Sequence, residues 1–236
     1  MTFGPARTIA TICARGGSKG LPRKNVRLFA GLPLIAHSIT QALQCQHVDG
    51  VYVSTDDEEI AEIARDFGAT VPFIRPAALA QDETPKLPVI AHLIEYLELQ
   101  GHRIDRILDL QPTSPLRTPQ DLTGALELDP SADLVVSICE PSHNPYFTLV
   151  ESDEEGCLQL CKPSRFVCRQ QAPSVWGLNG SIYVWRPAAL LQAISNGFWT
   201  VSTRGFVMPR ERSVDIDDAF DFELAEWLVT RMHNVE

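Results

Sequence analysis

The chain has 236 residues, of which 44% are hydrophobic and 21% charged, and its formal net charge is −10. This length allows one large domain with a sizeable core, or one domain with a small appendage. The acidic balance argues against a general nucleic-acid binder, and no window approaches the roughly 18 uninterrupted apolar residues of a membrane span.

Strand-like and helix-like patterns alternate along the chain. Short β-branched apolar runs predict buried parallel strands, and apolar residues at a period of about 3.6 predict helices. In chain order, the predicted elements are strand 9–14, helix 33–43, strand 51–54, a helix capped by Thr55 or Asp56 and ended by Gly68, strand 71–74, helix 88–99, strand 106–110, helix 119–128, strand 134–138, strand 179–185, helix 187–195, strand 214–216 and helix 218–232.

This alternation predicts an α/β fold with a doubly wound, mostly parallel sheet, because parallel strands need helical crossovers. Ligands of such sheets bind beyond the carboxyl ends of the strands, so we expect the loops after residues 14, 54, 74 and 110 to share one rim. The rhythm breaks at 140–177. That stretch keeps apolar and aromatic residues, so we interpret it as a β-rich excursion from a domain formed by 1–139 and 178–236.

The loop after the first predicted strand, ARGGSKGLPRKN at 14–25, combines glycines with cations. Glycine accepts positive φ, so Gly16, Gly17 and Gly20 would let backbone N–H groups turn toward an anion. Residues 1–48 contain six Arg or Lys and no Asp or Glu, which leaves 14 basic against 30 acidic residues in the remainder. The loop matches neither the Walker A pattern nor G-x-G-x-x-G. It therefore predicts a polyphosphate site of another kind, whereas a merely solvated basic turn would leave the glycines unexplained.

The same loop resembles the opening signature of the CMP-N-acetylneuraminate (CMP-sialic acid) synthetase family, cytidylyltransferases that activate nine-carbon acidic sugars. Further blocks agree in the same order, and the resemblance runs from about residue 9 to residue 226. They are VSTDDEEIAEIARDFGA at 53–69, RPAALAQDET at 75–84, LQPTSPLR at 110–117, RQQAP at 169–173, NGSIYV at 179–184 and SVDIDDAFDF at 213–222.

The resemblance implies a Rossmann-like fold of the nucleotide-diphospho-sugar transferase type, with 140–177 as a dimerisation region of a homodimer. It also implies a reaction in which the anomeric hydroxyl of a 2-keto sugar acid attacks the α-phosphorus of CTP and releases pyrophosphate. The expected substrate is N-acetylneuraminate, with legionaminate and pseudaminate as alternatives. CMP-KDO synthetase and a catalytically idle sugar-nucleotide-binding protein are the more distant rivals. We expect no nucleic-acid or membrane partner.

By resemblance, four residues form the catalytic set: Arg15, Lys24, Arg169 and Asp217. Arg15 and Lys24 would bind the triphosphate, together with a phosphate loop of Gly16, Gly17, Ser18 and Lys19. A guanidinium can bridge two phosphate oxygens and stabilise charge on the leaving pyrophosphate. Arg169 would meet the acidic substrate, although many relatives have Pro where this chain has Cys168.

Nine further residues of the matching blocks, together with Phe198 in NGFWT at 196–200, are expected to bind substrate. They are Asn25, Arg75, Thr84, Gln111, Thr113, Ser114, Arg117, Gln170, Asn179 and Phe198. Two of them have a purely structural alternative: Arg117 as an ion pair before a helix, and Phe198 with Trp199 as part of the core.

The block SVDIDDAFDF predicts a metal site. Asp215 and Asp217 alternate with Val214 and Ile216, so in a strand both carboxylates face one side. Two carboxylates beside phosphates suit Mg²⁺, which combines a few carboxylates with phosphate and water ligands. The resemblance supports both as Mg²⁺ ligands and favours Asp217 as the group that helps to deprotonate the sugar hydroxyl.

The cysteines and histidines indicate no further chemistry. Cys157, Cys161 and Cys168 lie close together but lack a CxxC pair and a nearby His, which disfavours structural zinc. Six scattered cysteines and an N-terminus without a secretory signal favour reduced thiols and a cytoplasmic location. The six histidines are dispersed and form no catalytic constellation.

Overall fold

The chain folds around one six-stranded sheet. The computed structural model describes residues 7–17 and 20–233, and the structural statements below concern that part of the chain. The strands are β1 (Thr8–Cys13), β2 (Leu28–Phe29), β3 (Leu32–Pro33), β4 (Gly50–Ser54), β5 (Arg106–Leu110), β6 (Leu134–Cys139), β7 (Val150–Ser152), β8 (Leu158–Leu160), β9 (Gly177–Trp185) and β10 (Thr203–Val207). The helices are α1 (Leu34–Gln44), α2 (Glu58–Asp66), α3 (Lys86–Leu99), α4 (Pro119–Glu127), α5 (Pro187–Asn196) and α6 (Ala219–His233).

The strand order of the central sheet is β10-β6-β9-β5-β1-β4. β1 lies parallel to β4 and β5, and β10 lies parallel to β6, whereas β9 runs antiparallel between β5 and β6. β1 is largely buried, as its apolar, β-branched sequence TIATIC indicates. The prediction of a Rossmann-like, mostly parallel α/β sheet is confirmed.

Helices cover both faces of this sheet. α1, α2 and α4 pack on one face through residues such as Ile39, Ile60 and Leu122. α3 and α5 pack on the other face through residues such as Leu93 and Leu190. Apolar burial of this kind contributes about 25 cal/mol per Å² and is the main stabilising term of the fold. Within the described residues, no helix is long and apolar enough to cross a membrane.

Several strand predictions differ from the structure: the short strands β2 and β3 are not predicted, and three further differences concern longer segments. The sequence analysis predicts no strand at β10, because this edge strand is half exposed and TRGFV is not an apolar run. The strand predicted at 71–74 is wrong, because this stretch reaches the sheet only through isolated bridges, among them Thr55 with Ile74. The strand predicted at 214–216 is also wrong, because that segment crosses the rim without forming a ladder.

The helix after β4 is capped by a different residue from those predicted. Asp57, rather than Thr55 or Asp56, is the N-cap of α2, and its Oδ1 accepts a hydrogen bond from the backbone N–H of Ile60 at 3.0 Å. Gly68 follows the helix with φ of +92°, as its predicted role at the helix end requires.

The stretch 140–177 contains a two-stranded antiparallel hairpin, β7–β8, apart from the main sheet. Tyr146 and Phe166 pack edge to face at its base, with ring centroids 5.5 Å apart. Several large apolar side chains of this stretch are exposed, among them Leu158, Val167 and Trp176. The domain boundaries at 139/140 and 177/178 and the dimerisation role stay predictions.

Candidate active site

A cavity of about 540 Å³ opens at the carboxyl ends of β1 and β5. The loops after β1 and β5 line it, together with the stretch that precedes α3 and the acidic segment before α6. Asp56, from the loop after β4, supports the wall by accepting a hydrogen bond from Arg75 at 3.1 Å. The predicted sharing of one rim by these loops is confirmed. Nine predicted site residues line the cavity: Arg15, Lys24, Asn25, Arg75, Thr84, Gln111, Thr113, Asp215 and Asp217.

Two cations of the first loop face acidic partners across the cavity. Arg15 Nη1 lies 2.7 Å from Asp82 Oδ1. Lys24 Nζ donates to Asp217 Oδ1 at 3.1 Å and to the backbone carbonyl of Ile216 at 2.8 Å. The loop thus contributes positive charge to the cavity lining, and the acidic segment contributes negative charge in direct contact with it.

Asn25 and Arg75 are buried beside these cations. Asn25 Nδ2 donates to the carbonyl of Arg15 at 3.0 Å, which fixes the loop's conformation. Asn25 Oδ1 and Arg75 Nε are both buried and have no hydrogen-bond partner among the described residues. Buried polar atoms are normally satisfied, so these two atoms indicate where a bound molecule would contribute hydrogen bonds.

The glycines of the first loop act differently from what the sequence suggests. Neither Gly16 nor Gly17 has positive φ, so the proposed use of that conformation is wrong for these two. The backbone N–H of Gly16 already donates to Asp56 Oδ1 at 3.2 Å. Gly20 is needed for close approach, because a Cβ at this position would overlap the backbone carbonyl oxygen of Asp217.

Other predicted members of the phosphate loop lie outside the cavity lining. Gly16 and Gly17 do not line the cavity, and Ser18 and Lys19 lie outside the described residues. Arg23 turns away and pairs with Asp57 and Glu59.

The acidic segment is tied to the loop after β5. The backbone N–H of Ile216 donates to the carbonyl of Thr113 at 2.8 Å, and the Thr113 hydroxyl donates to Asp215. Burial raises the pKa of Asp215, and the charge of Asp217 raises it further, against the hydrogen bond from Thr113. The side chain of Asp217 is 78% exposed, so it meets solvent at the mouth. Both carboxylates face the cavity, as predicted, although no strand holds them.

The side chains of Gln111 and Asp215 both lie near Gly180 of β9. A side chain at Gly180, whose φ is +70°, would lie 3.4 Å from Asp215 Oδ2 and 4.0 Å from Gln111 Nε2. Gly180 therefore allows β9 to pass close behind both groups. A residue with a Cβ would be strained there because of the positive φ, and its Cβ would be in van der Waals contact with both groups.

Ser114 and Arg117 do not reach the cavity, so their expected contact with substrate is not seen. Arg117 is buried, and its Nη1 donates to the carbonyls of Gln111 at 2.8 Å and Ser181 at 3.2 Å. Burial lowers the pKa of Arg117 to about 9. No carboxylate pairs with it among the described residues, so the ion-pair alternative is also wrong. Arg117 instead supports the backbone of Gln111 from the protein interior, through its hydrogen bond to the Gln111 carbonyl.

Asn179, Phe198 and Gln170 also lie away from the cavity. Asn179 is buried, accepts from the Ser137 hydroxyl at 2.6 Å and donates to Ser213 Oγ at 2.9 Å. It therefore links β9 to the start of the acidic segment. Phe198 packs edge to face on Trp185 with centroids 5.4 Å apart, as the core alternative predicts. Gln170 is exposed in the 140–177 stretch, and the side chain of Arg169 lies outside what the structure describes.

Lys86 and Asp109 are among the charged residues of the cavity region that the sequence motifs do not predict. Lys86, the first residue of α3, lines the cavity and pairs with Asp109 of β5 at 2.6 Å. An Asp within the otherwise apolar run ILDL at 107–110 was a signal, because a buried carboxylate needs a partner. Its partner could not be read from the sequence, since it lies on a different element.

Comparison with known proteins decides the family. Residues 9–131 match the cytidylyltransferase family. The chain belongs to the CMP-sialic acid synthetase family of cytidylyltransferases. It is 37% identical over 231 residues to the CMP-N,N'-diacetyllegionaminic acid synthase of Legionella pneumophila subsp. pneumophila, covering 94% of this chain and 96% of that protein. It is 34% identical over 230 residues to N-acylneuraminate cytidylyltransferase A of Danio rerio, covering 94% of this chain and 50% of that longer protein.

A solved structure supports the fold. The protein resembles CMP:2-keto-3-deoxy-manno-octonic acid synthetase complexed with CTP, with a TM-score of 0.71 over 96% of this chain and 100% of that one, at 19% identity. The chain is thus a nucleotidyltransferase, and its family comprises cytidylyltransferases for nonulosonic acids.

The close approach at Gly20 gives a first testable prediction. Gly20→Ala should displace the backbone of Asp217 and lower kcat/KM by about tenfold or more, because misplacing reacting groups by an ångström is costly. Gly17→Ala is the matched control, since a Cβ there meets nothing within 4 Å. Equal losses in the two variants, measured by steady-state kinetics, would refute the steric explanation.

Proposed function

We propose that the protein transfers CMP from CTP to the anomeric hydroxyl of a nonulosonic acid and releases pyrophosphate. The observation that carries the proposal is the lining of the cavity, which brings together two cations of the first loop, Arg15 and Lys24, and two carboxylates of the acidic segment, Asp215 and Asp217. Transfer from a nucleoside triphosphate needs both kinds of charge at the reacting phosphate.

Arg15 and Lys24 are proposed to bind the triphosphate. Each is paired with an acid, Arg15 with Asp82 and Lys24 with Asp217. Phosphate oxygens would replace or share these partners. The unpartnered Asn25 Oδ1 and Arg75 Nε, buried beside them, would then contact the nucleotide.

Asp215 and Asp217 fit a Mg²⁺ ion carried by the triphosphate. Two carboxylates at one cavity wall repel one another, which contributes to the raised pKa of Asp215, and a divalent cation would offset that repulsion. The described residues contain no group of three or more His, Cys, Asp or Glu suited to a metal, so phosphate and water would complete the ligand set, as Mg²⁺ prefers. When bound, the ion would polarise the reacting phosphate.

The chemical step is a displacement at the α-phosphorus. The anomeric oxygen forms a bond to phosphorus, and the bond to the leaving pyrophosphate breaks. Gln111, held by Arg117 and close to Asp215, is proposed to orient the sugar acid. Asp217 is proposed to accept the hydroxyl proton, because its exposure at the mouth lets the proton pass on to solvent.

The decisive experiment measures pyrophosphate release with CTP, Mg²⁺ and a panel of N-acetylneuraminate, diacetyllegionaminate and pseudaminate. At least one acid should be converted, and chelation of Mg²⁺ with EDTA should abolish turnover.

Asp217→Asn should lower kcat by about 100-fold or more. Asp218→Asn, one residue further along and bonded to the helix N-terminus, should keep most activity. No release with any of the three acids would refute the proposal.

The panel also addresses the sugar. N-acetylneuraminate is the substrate expected from the sequence, whereas the more similar of the two relatives above is named as a legionaminate enzyme. That similarity favours diacetyllegionaminate as a second candidate, and the ratio of the two kcat/KM values decides between them.

Arg15→Ala tests whether Arg15 binds CTP rather than the sugar acid. Loss of a charge-assisted phosphate contact should raise KM for CTP by about tenfold and leave KM for the sugar acid within about twofold. Arg23→Ala is the matched control from the same loop, since Arg23 pairs with Asp57 and Glu59 outside the cavity. A larger effect on the sugar than on CTP would contradict the assignment.

A homodimer formed through 140–177 is proposed as well. The exposed side chains of Leu158, Val167 and Trp176 are apolar surface that a second copy would cover. Gln170 lies in the same stretch and outside the cavity of its own chain, and in the proposed dimer it would be available to the partner. Sedimentation should give twice the mass of one chain, and a monomer would contradict the proposal.

A further inference from the structure

A charged pair lies beside the cavity, apart from the cations proposed to bind phosphates: Lys86 lines the cavity, and its partner Asp109 is buried. Lys86 Nζ lies 2.6 Å from Asp109 Oδ2. The side chain of Lys86 is 28% exposed along its stem, but its Nζ atom is buried. Asp109 is 1% exposed. The ammonium therefore lies at the inner end of a side chain that lines the cavity.

The surroundings of the pair hold it in place. Asp109 lies opposite Thr11 of β1 and Tyr183 of β9 in the sheet. Thr11 Oγ1 donates to Asp109 Oδ1 at 3.1 Å, and Lys86 Nζ lies 5.5 Å from the centre of the Tyr183 ring. These groups form a short polar row on the face of the sheet that α3 otherwise covers with apolar side chains.

Stability alone does not account for this pair. Replacing a buried ion pair with apolar residues of similar volume is often neutral or stabilising, and the neighbouring cluster of α3 is apolar. Lys86 has three N–H donors. Apart from Asp109, no acceptor meets Nζ in the described part of the chain. The pair thus places a buried cation with spare donors at the end of a side chain that lines the cavity.

Lys86 remains charged in this position. Burial acts to lower its pKa, but the charge of and hydrogen bond to Asp109, together with smaller contributions from Cys13 and Tyr183, outweigh that effect, and the pKa lies above its ordinary value. Cys13, which also lines the cavity, stays a neutral thiol, because burial and the charge of Asp109 raise its pKa to about 12. Lys86 is therefore the charged donor of this wall.

The position of the pair associates it with the sugar acid. Asp109 and Gln111 are two residues apart, so their side chains leave the same face of the sheet. Gln111 is the residue proposed to orient the sugar, whereas the triphosphate is assigned to the first loop through Arg15 and Lys24. A nonulosonic acid carries several oxygen acceptors, namely its carboxylate, its hydroxyls and its acylamino carbonyls.

We propose that Lys86, held by Asp109, is a specificity-determining residue of the sugar subsite and donates hydrogen bonds to an oxygen acceptor of the sugar acid. The proposal rests on the proposed function. A site built to hydrogen-bond a substrate group discriminates strongly against molecules that lack it, because the buried donor is then left unpaired.

Lys86→Met tests the proposal with a side chain of similar length and no charge. KM for the sugar acid should rise by about tenfold or more, while KM for CTP stays within about twofold. Since this variant leaves Asp109 buried without its partner, a second variant, Lys86→Met with Asp109→Leu, removes both charges and should show the same split. Arg103→Met, which breaks the exposed Arg103–Asp105 pair, is the control and should change neither constant.

The sugar panel locates the acceptor. A loss of similar size with N-acetylneuraminate and with its analogue bearing a hydroxyl instead of the acylamino group supports the carboxylate or a hydroxyl as the acceptor. A loss confined to acylamino sugars supports the carbonyl.

Two results would overturn the inference: a double variant whose KM for the sugar is unchanged, or a rise in KM for CTP instead. Failure of the proposed function can be told apart from failure of the Lys86 proposal alone. In that case the wild-type protein would convert none of the acids, and both the function and the role of Lys86 would be refuted.

Discussion

The site depends on how the backbone of Ile216 is held. Its N–H donates to the carbonyl of Thr113 at 2.8 Å, and its carbonyl accepts from Lys24 Nζ at 2.8 Å. The side chain of Ile216 is buried in a cluster with Phe29 and Phe222. One residue thus joins the first loop, the loop after β5 and the final helix. Asp215 and Asp217 flank it, so these bonds place both carboxylates opposite the cations.

Charge pairing explains how an acidic protein can receive two anionic substrates. Within the described residues, four cations line the cavity and each faces an acid: Arg15 with Asp82, Lys24 with Asp217, Arg75 with Asp56 and Lys86 with Asp109. Such pairing keeps the side chains ordered before substrate arrives. Preorganised charges need little rearrangement at the moment of reaction, which is the main source of electrostatic catalysis. The net charge of −10 therefore says little about the local field in the cavity.

Sequence patterns predicted the elements whose burial is continuous and the residues that lie in contiguous motifs. β1 and β5 are apolar runs, and Lys24 and Asp217 lie in blocks that resemble a known family. The half-exposed edge strand β10 has no comparable pattern. The pairing of Lys86 with Asp109 was equally hidden, because a helix start and a strand interior meet only through the fold. Arg117 lies in a matching motif and was therefore expected to contact substrate. It does not line the cavity, and it is buried where it donates to the backbone carbonyl of Gln111.

The central claim is that one cavity holds the nucleotide between a cationic loop and an acidic segment. A crystal structure of the protein soaked with CTP and Mg²⁺ tests this most directly. The account predicts the triphosphate in contact with Arg15 and Lys24, a cation coordinated by Asp215 and Asp217, and an Arg15–Asp82 distance greater than the present 2.7 Å. A nucleotide bound elsewhere, or phosphates that contact neither Arg15 nor Lys24, would contradict it.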